Sequence, residues 1–206
     1  MLIGLTGGIG TGKTVVAEMF GDLGAKLVDF DDLAREVVMP GKPAWKEIVH
    51  AFGEEILIED RFLNRKKLRE IVFQDTSKRL FLEESTHPRI YRLFLSRLKE
   101  IVTRDPHAIV LSIIPLLFEC RLQPWFHKIL LVFAPRKEQI QRLMARDGLR
   151  ADQAENILKA QMPIQEKKPL AHMVIDNSGS VEKTREAVAA LWPILEKMQR
   201  ERAQQK

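Results

Sequence analysis

The first sixteen residues, Met1–Val16, read MLIGLTGGIGTGKTVV and decide the fold class of the chain. A short apolar run at the start predicts a buried strand. Four glycines then fall within six residues, and glycine at that density indicates backbone conformations that other residues resist. A helical pattern follows, and we expect Val15, Met19 and Leu23 to form its buried face. The stretch therefore predicts a strand, a glycine-rich loop and a helix in succession.

The loop from Gly7 to Thr14 matches the pattern G-x-x-x-x-G-K-[ST]. Between a strand and a helix, such a loop turns successive backbone N–H groups toward one point, beside a helix N-terminus whose dipole favours an anion. Lys13 can reach the terminal phosphates of a nucleotide, and the Thr14 hydroxyl can hold Mg²⁺. The alternative is a glycine-rich turn that binds no ligand, but such a turn would not require Lys13. We therefore predict a nucleoside triphosphate site, with Thr14 as its metal ligand and with nucleotide contacts from Gly8, Ile9, Gly10, Thr11, Gly12, Lys13, Thr14 and Val15.

Length and composition suit one domain with sizeable insertions. The chain has 206 residues, of which 45% are hydrophobic and 30% charged, as is ordinary for a globular protein with a core. Its apolar stretches are too short to span a bilayer, and a signal-peptide pattern is absent. The single cysteine, Cys120, excludes an intrachain disulfide and favours a reducing compartment. We therefore expect a cytoplasmic protein without a membrane partner.

The net charge of +5 is compatible with nucleic acid, an anionic membrane or anionic small substrates. The basic residues are scattered along helical patterns and interleaved with acids, as in REIVFQDTSKR. Strands with the interleaved aromatic residues that stack bases are not evident. The charge pattern thus favours phosphate-bearing small molecules, and we expect no nucleic-acid partner.

Five apolar runs predict strands, and helical patterns separate them, so the sequence indicates an α/β protein with a mostly parallel sheet. In such sheets ligands bind at the carboxyl ends of the strands. The residues that follow each run are therefore candidates for the rim of one site. The five runs are Leu2–Thr6, Ala25–Asp29, Ala108–Ile114, Lys128–Ala134 and Met173–Asp176.

Two connections between the predicted strands are longer than a crossover helix requires. The first, about 32–107, contains several helical patterns and is long enough for a helical subdomain over the site. The second, about 136–170, places Gln139, Arg142 and Arg146 at three- and four-residue spacing on one helix face. An arginine-bearing lid over transferring phosphates has that arrangement. An ordinary solvated helix has it more often, so spacing alone leaves both interpretations open.

The second predicted strand ends in KLVDFDDLA, which places acidic residues at the edge where ligands bind. A carboxylate there can accept the proton of an attacking hydroxyl or hold a metal ion. The alternative is a helix N-cap at Asp31 or Asp32. The sequence does not decide between these interpretations.

Seven blocks in order resemble the dephospho-CoA kinases and extend to about Trp192: TGGIGTGKT, LGAKLVDFDDLA, PGKPAW, FLNRKKLREIVF, HPRI, IPLLFE and VIDNSGS. The resemblance implies a three-layer α/β P-loop kinase fold with a five-stranded, mostly parallel sheet. It implies one domain over 1–206, with a helical acceptor-binding insertion at about 32–107 and a lid at about 136–170. The implied reaction transfers the γ-phosphoryl group of ATP, with Mg²⁺, to the ribose 3′-hydroxyl of dephospho-CoA.

The same resemblance implies the site residues. Asp31 matches the base or hydroxyl-positioning group, Lys13 the catalytic lysine of the phosphate loop, and Arg146 the lid arginine that approaches the phosphates. Arg142 assists it, and Asn177 lies where such kinases hold adenine. The implied acceptor contacts are Asp31, Arg69, His87, Pro115 and Leu116.

Structural alternatives remain for several of these residues. His87 precedes a proline and could cap or bridge helices, and Arg69 could belong to a solvated helix face. The chain departs from the family pattern at Asn156, where arginine is common, and at Phe133 and His172, where aspartate is common. Neither the phosphate loop nor Asp31 departs from it.

Three other functions are compatible with part of the sequence. Another P-loop kinase of nucleotides or small molecules would share the phosphate loop, but not the aspartate block or PLLFE. A GTP-binding switch would need a base-reading [NT]-K-x-D motif, which is absent. A nucleic-acid-binding protein would show salt-dependent affinity, and the scattered charge does not favour it. The oligomeric state is left open.

Overall fold

The computed structural model describes residues 1–204, which form two compact units. The first unit comprises Met1–Val28 and the chain from Ile101 onward, and the second comprises Asp29–Glu100. Residues 205 and 206, the end of the predicted 1–206 domain, lie outside the described residues. No helix within 1–204 is both long and apolar enough to cross a membrane.

A five-stranded sheet forms the centre of the first unit. Its strands are β1 (Leu2–Gly7), β2 (Lys26–Asp29), β3 (Val110–Ile113), β4 (Lys128–Phe133) and β5 (Met173–Asp176), in the order β2-β3-β1-β4-β5. Strand β1 pairs in parallel with β3 and β4, and β4 pairs in parallel with β5. The predicted α/β architecture with a five-stranded parallel sheet is therefore confirmed.

Nine α-helices lie between and after these strands in residues 1–204. They are α1 (Lys13–Asp22), α2 (Phe30–Glu36), α3 (Pro43–Phe52), α4 (Arg65–Gln74), α5 (Thr76–Arg104), α6 (Arg136–Asp147), α7 (Ala151–Lys159), α8 (Ile164–Lys167) and α9 (Val181–Gln204). Strands β3 and β4 are almost entirely buried, because helices cover both faces of a parallel sheet. This burial explains why the sequence shows continuous apolar runs there.

The buried face of α1 differs from the prediction. Val16, Ala17, Met19 and Phe20 are buried, whereas Val15 is 43% exposed. Successive residues of an α-helix are about 100° apart, so a face centred between Val16 and Phe20 leaves Val15 at its edge. Of the three predicted residues only Met19 is in the core.

The second unit has a small core of its own. Trp45, Ile48 and Phe52 of α3 pack with residues of the following turns and α4. The long helix α5 contains Pro88, and His87 lies inside this helix rather than at a cap or between helices. A capping role for His87 is therefore wrong, whereas a bridging contact between helices stays a prediction. Arg89 of the same helix donates to the Glu47 carboxylate of α3 from its two terminal guanidinium nitrogens, Nη2 at 2.6 Å and Nη1 at 3.0 Å.

Candidate active site

The phosphate loop links the end of β1 to the start of α1 at the carboxyl edge of the sheet. Gly10 and Gly12 have φ angles of 76° and 83°, in the left-handed region that L side chains rarely adopt. Gly12 is also the N-cap of α1 and has no side chain with which to cap it. The first-turn N–H groups of α1 therefore need an acceptor from outside the helix, and an anion is suited to that position.

Lys13 lies across its own loop. Its Nζ donates to the carbonyl oxygens of Gly8 and Gly7, at 2.8 and 3.3 Å. Thr11 is fully buried and donates from Oγ1 to the same Gly8 carbonyl at 2.9 Å. Thr14 and Val15, the next residues of α1, are exposed. The ammonium group and the Thr14 hydroxyl thus lie at the same helix end as the N–H groups that need an acceptor.

Two predicted site residues from distant parts of the chain support the loop. Asn177 follows β5, and its Nδ2 donates to the Thr11 carbonyl at 2.7 Å while its Oδ1 accepts from Thr184 Oγ1 at 2.8 Å. Arg142 of α6 donates from Nη2 to the Asn177 carbonyl at 2.6 Å, and from Nη1 to the Gly10 carbonyl at 3.4 Å. The structure therefore brings the phosphate loop, Arg142 and Asn177 together.

Arg146 lies one turn further along α6 and has a different environment. Its side chain is 62% exposed, and Nε and Nη2 each bond the Asp147 carboxylate at 2.8 Å. This hydrogen bonding raises the pKa of Arg146 and lowers the pKa of Asp147. Gln139 of the same helix row is 2% exposed and lies against Gly8. Of the three residues on the predicted helix face, Gln139 is buried, Arg142 bonds the phosphate loop and Arg146 is exposed.

The segment after β3 contacts the end of β1 through its backbone. The Pro115 carbonyl accepts a hydrogen bond from Thr6 Oγ1 of β1 at 3.4 Å. Leu116 is 40% exposed. Pro115 and Leu116 thus lie at the carboxyl edge of the sheet, as predicted, and their acceptor contacts stay a prediction.

The aspartate block is arranged differently from either predicted capping scheme. Strand β2 ends at Asp29, and α2 begins at the next residue. Asp29 is the N-cap, since its Oδ1 accepts from the Asp31 N–H at 2.8 Å, so a cap at Asp31 or Asp32 is wrong. The chain turns from strand into helix without a linker, so Asp29 occupies the position immediately before the first helical residue, which is the N-cap. The exposed Asp31 carboxylate is left available in the first turn.

The neighbours of Asp31 within the second unit include a residue that the sequence analysis missed. Asp29 has a raised pKa, chiefly because burial disfavours its charged form, and the charges of Asp31 and Asp32 add to this. Arg65, at the start of α4, has a lowered pKa because its guanidinium loses water and lies near Arg35, while the Asp31 charge opposes the shift. Arg65 belongs to the NRKKL run, but no sequence signal distinguishes it from the other basic residues there.

Arg69 and His87, the other predicted acceptor contacts, are also in the second unit. Arg69 is exposed on α4, and the half-buried His87 ring lies 6.1 Å from the Tyr91 ring within α5. Their roles toward the acceptor stay predictions.

Two of the departures from the family pattern have structural partners in the first unit. The Phe133 ring, at the end of β4, lies 5.0 Å from Lys168 Nζ, close enough for a cation–π contact. His172 Nδ1 accepts the Ile129 N–H at 3.1 Å and so supports the start of β4.

Comparisons with known proteins show which family the chain belongs to. The family model described as CoaE, dephospho-CoA kinase, matches residues 1–183. Proteins named dephospho-CoA kinase from Carboxydothermus hydrogenoformans and Geobacter metallireducens are 43% and 46% identical, covering 92% and 93% of this chain and 92% and 95% of theirs. The solved structure titled dephospho-CoA kinase from Campylobacter jejuni superposes with a TM-score of 0.72 at 26% identity, covering 95% of this chain and 97% of that one. This chain therefore belongs to the dephospho-CoA kinase family of phosphotransferases.

Proposed function

We propose that the protein transfers the γ-phosphoryl group of ATP to the ribose 3′-hydroxyl of dephospho-CoA and so forms coenzyme A. The observation that carries the proposal is the phosphate loop, with Lys13 lying across it and with Arg142 and Asn177 bonded to its carbonyls. Family membership supports dephospho-CoA as the acceptor.

On the donor side, the loop and the first turn of α1 bind the phosphates of ATP. The uncapped N–H groups of α1 donate hydrogen bonds to the phosphate oxygens, and the dipole of the helix adds to their effect. Lys13 exchanges its bonds to the Gly7 and Gly8 carbonyls for the β- and γ-phosphates, since a phosphate oxygen is the more strongly charged acceptor. Arg142 and Asn177 fix the far side of the loop, and the adenine lies toward Asn177.

The residues of the donor site fit a Mg²⁺ ion that is bound mainly by the phosphates of the nucleotide. No group of three or more histidine, cysteine, aspartate or glutamate side chains within 1–204 is arranged to hold a metal ion. Mg²⁺ in kinases keeps several waters and takes few protein ligands besides the substrate phosphates. The exposed Thr14 hydroxyl, next to Lys13, suits that single contact. When bound, the ion neutralises charge that develops on the β- and γ-phosphates.

On the acceptor side, Asp31 orients the attacking hydroxyl and accepts its proton. Its carboxylate suits this step because Asp29, and not Asp31, supplies the cap of α2. Arg69, His87, Pro115 and Leu116 contact the acceptor. Phosphoryl transfer asks mainly for positioning and charge neutralisation, so these groups suffice without a covalent intermediate.

The lid at about 136–170 closes over the bound substrates. Closure brings Arg146 from its exposed pairing with Asp147 to the transferring phosphates. It also excludes water, which would otherwise compete with the acceptor hydroxyl for the γ-phosphoryl group.

An ADP-release assay with ATP and Mg²⁺ tests the proposal by comparing dephospho-CoA, adenosine, AMP and shikimate. We expect ADP release that depends on dephospho-CoA and is matched by coenzyme A. Turnover with another acceptor alone would instead favour a different P-loop kinase activity. Release no faster than the blank without acceptor would contradict the proposal.

A further inference from the structure

A buried ion pair joins two segments of the first unit that the proposed reaction does not explain. Lys167, the last residue of α8, is completely buried, and its Nζ lies 2.8 Å from Glu119 Oε1. Glu119 follows β3 in the PLLFE segment, and its side chain is 22% exposed. Removing two charges from water costs about as much as their attraction returns, so such pairs are weak evidence for stability alone. A positioning role is the alternative explanation.

The pair belongs to a connected set of hydrogen bonds at the C-terminal end of the predicted lid. Glu119 Oε1 also accepts the Met162 N–H at 3.0 Å. The preceding residue, Gln161, accepts the Ile9 N–H of the phosphate loop on its Oε1 at 2.9 Å. We call Glu119, Gln161, Met162 and Lys167 the lid anchor.

The lid anchor contacts both sides of the donor site. Through Gln161 it holds the Ile9 peptide of the phosphate loop. Through Lys167 Nζ it donates to the Pro115 carbonyl at 3.4 Å, the same oxygen that accepts from Thr6 Oγ1 of β1. One short segment, 161–167, therefore connects the end of α7 to the phosphate loop and to the segment after β3.

The electrostatics of the anchor make it intolerant of partial loss. Within residues 1–204, the buried Glu119 Oε2 has no hydrogen-bond partner, so compensation of the carboxylate depends on Oε1. Charge attraction is stronger where water is excluded. A cavity of about 260 Å³ adjoins the anchor, lined by Gly8, Gln139, Gln161 and Met162 among others. Gln161 thus holds the N–H side of the Gly8–Ile9 peptide, whereas Lys13 and Thr11 hold its carbonyl oxygen.

We propose that Glu119, Gln161 and Lys167 are positioning residues, which hold the phosphate loop and the Pro115 segment in fixed relation during phosphoryl transfer. This inference rests on the proposed function. Transfer to the acceptor hydroxyl needs the phosphoryl group aligned to within a fraction of an ångström, whereas nucleotide binding tolerates more slack. Loss of the anchor should therefore lower kcat more than it raises KM for ATP.

The test compares the single variant Lys167→Met with the double variant Glu119→Gln/Lys167→Met. The single variant leaves a buried carboxylate without its cation, so its Tm should fall. The double variant removes both charges, and the introduced amide keeps an oxygen for the Met162 N–H, so its Tm should recover to near that of the wild type. We expect its kcat with dephospho-CoA to stay at least tenfold low, with KM for ATP within twofold. If kcat recovers together with Tm, the pair is merely structural and the inference is overturned.

Gln161→Leu tests the contact to the phosphate loop, with Gln141→Leu, at an exposed position of α6, as its matched control. We expect Gln161→Leu to lower kcat tenfold or more and to raise the fraction of ATP hydrolysed without coenzyme A formation, while the control matches the wild type. Equal coupling of ADP release to product in both variants would contradict the inference.

The wild type in the same assay separates this inference from the proposed function. If the wild type forms no coenzyme A, the proposed function fails and the anchor is judged by amide hydrogen exchange in residues 7–14. The double variant should then exchange faster there at unchanged Tm. Unchanged exchange would overturn the anchor.

Discussion

Asp29 and Asp31 are two residues apart but have separate tasks, which the local backbone assigns. Asp29 uses its carboxylate to accept the Asp31 N–H and is partly buried, whereas Asp31 is exposed in the first turn of α2. The sequence predicted the acidic block and its position at a strand end. It could not predict which residue caps the helix, because that depends on whether β2 runs one residue further.

Asp31→Asn tests the proposed base. We expect kcat to fall by about 10²–10⁴-fold, the usual contribution of general base catalysis, with little change in KM for ATP. Asp32→Asn is the matched control, since Asp32 is also exposed in the same turn and pairs with Arg35. A near-normal kcat for Asp31→Asn, in steady-state ADP release with dephospho-CoA, would remove Asp31 from the reaction.

The raised pKa of Asp29 predicts a pH dependence of stability. Because its folded pKa lies above the ordinary value of 3.8, the folded state holds this proton when the unfolded state has already lost it. The free energy of unfolding contributed by Asp29 is therefore full below pH 3.8 and falls as pH rises through the folded pKa.

Asp29→Asn removes this titration but keeps a good N-cap. We expect the difference in unfolding free energy, variant minus wild type, to increase between pH 3.8 and neutral pH. Urea denaturation at several pH values measures it. A difference that is constant or decreases with pH would contradict the assigned burial of Asp29.

At the scale of elements, the strands are the best predicted part of the chain. Four of the five apolar runs match strands to within one residue at each end, and Ala108–Ile114 is longer than the observed Val110–Ile113. Strands covered on both faces have continuous apolar sequences with little ambiguity. The prediction of the buried face of α1 was wrong because the apolar period does not say where the centre of that face lies.

The turn from loop to helix depends on Gly12. A Cβ at this position would collide with Asn177 Nδ2, and the φ of 83° is itself strained for an L residue. We expect Gly12→Ala to lose at least about 1–2 kcal/mol of unfolding free energy from strain alone, and to weaken ATP binding as Asn177 is displaced.

Gly148→Ala is the control for Gly12→Ala. Gly148 has a φ of 66°, but a Cβ there meets no described atom within 4 Å, so it carries strain without displacing a neighbour. Denaturation and nucleotide titration of both variants separate the two effects. Equal ATP affinity in the two variants would show that the Asn177 contact does not matter for binding.

At the scale of the whole molecule, the phosphate loop depends on parts of the chain that are far apart in sequence. Arg142 and Asn177 were expected there from the family resemblance, and the structure brings both to the loop. The lid anchor was not predicted. Its partners lie in different segments and follow no helical or strand period, so their pairing exists only once the sheet has formed.

The phosphate loop is held by distant segments that come together only in the folded chain. ATP should therefore bind the folded first unit and stabilise it. With ATP·Mg²⁺ at about 100 times Kd, binding to the folded state adds about 2.7 kcal/mol. For a chain of this length that is a rise in Tm of roughly 5–10 °C. Lys13→Met should lose most of this rise, whereas Lys137→Met, at an exposed position of α6, should keep it. A thermal shift that Lys13→Met does not reduce would contradict the donor site.

The chemical position of the new phosphate distinguishes the proposed reaction from the other possible phosphoryl transfers. We would incubate the wild type with ATP, Mg²⁺ and dephospho-CoA, and would examine the purified product by phosphorus NMR. We expect one new phosphomonoester, coupled to the ribose 3′ proton, in a product identical to coenzyme A. A phosphate on another hydroxyl, or inorganic phosphate without a new ester, would contradict the proposed reaction.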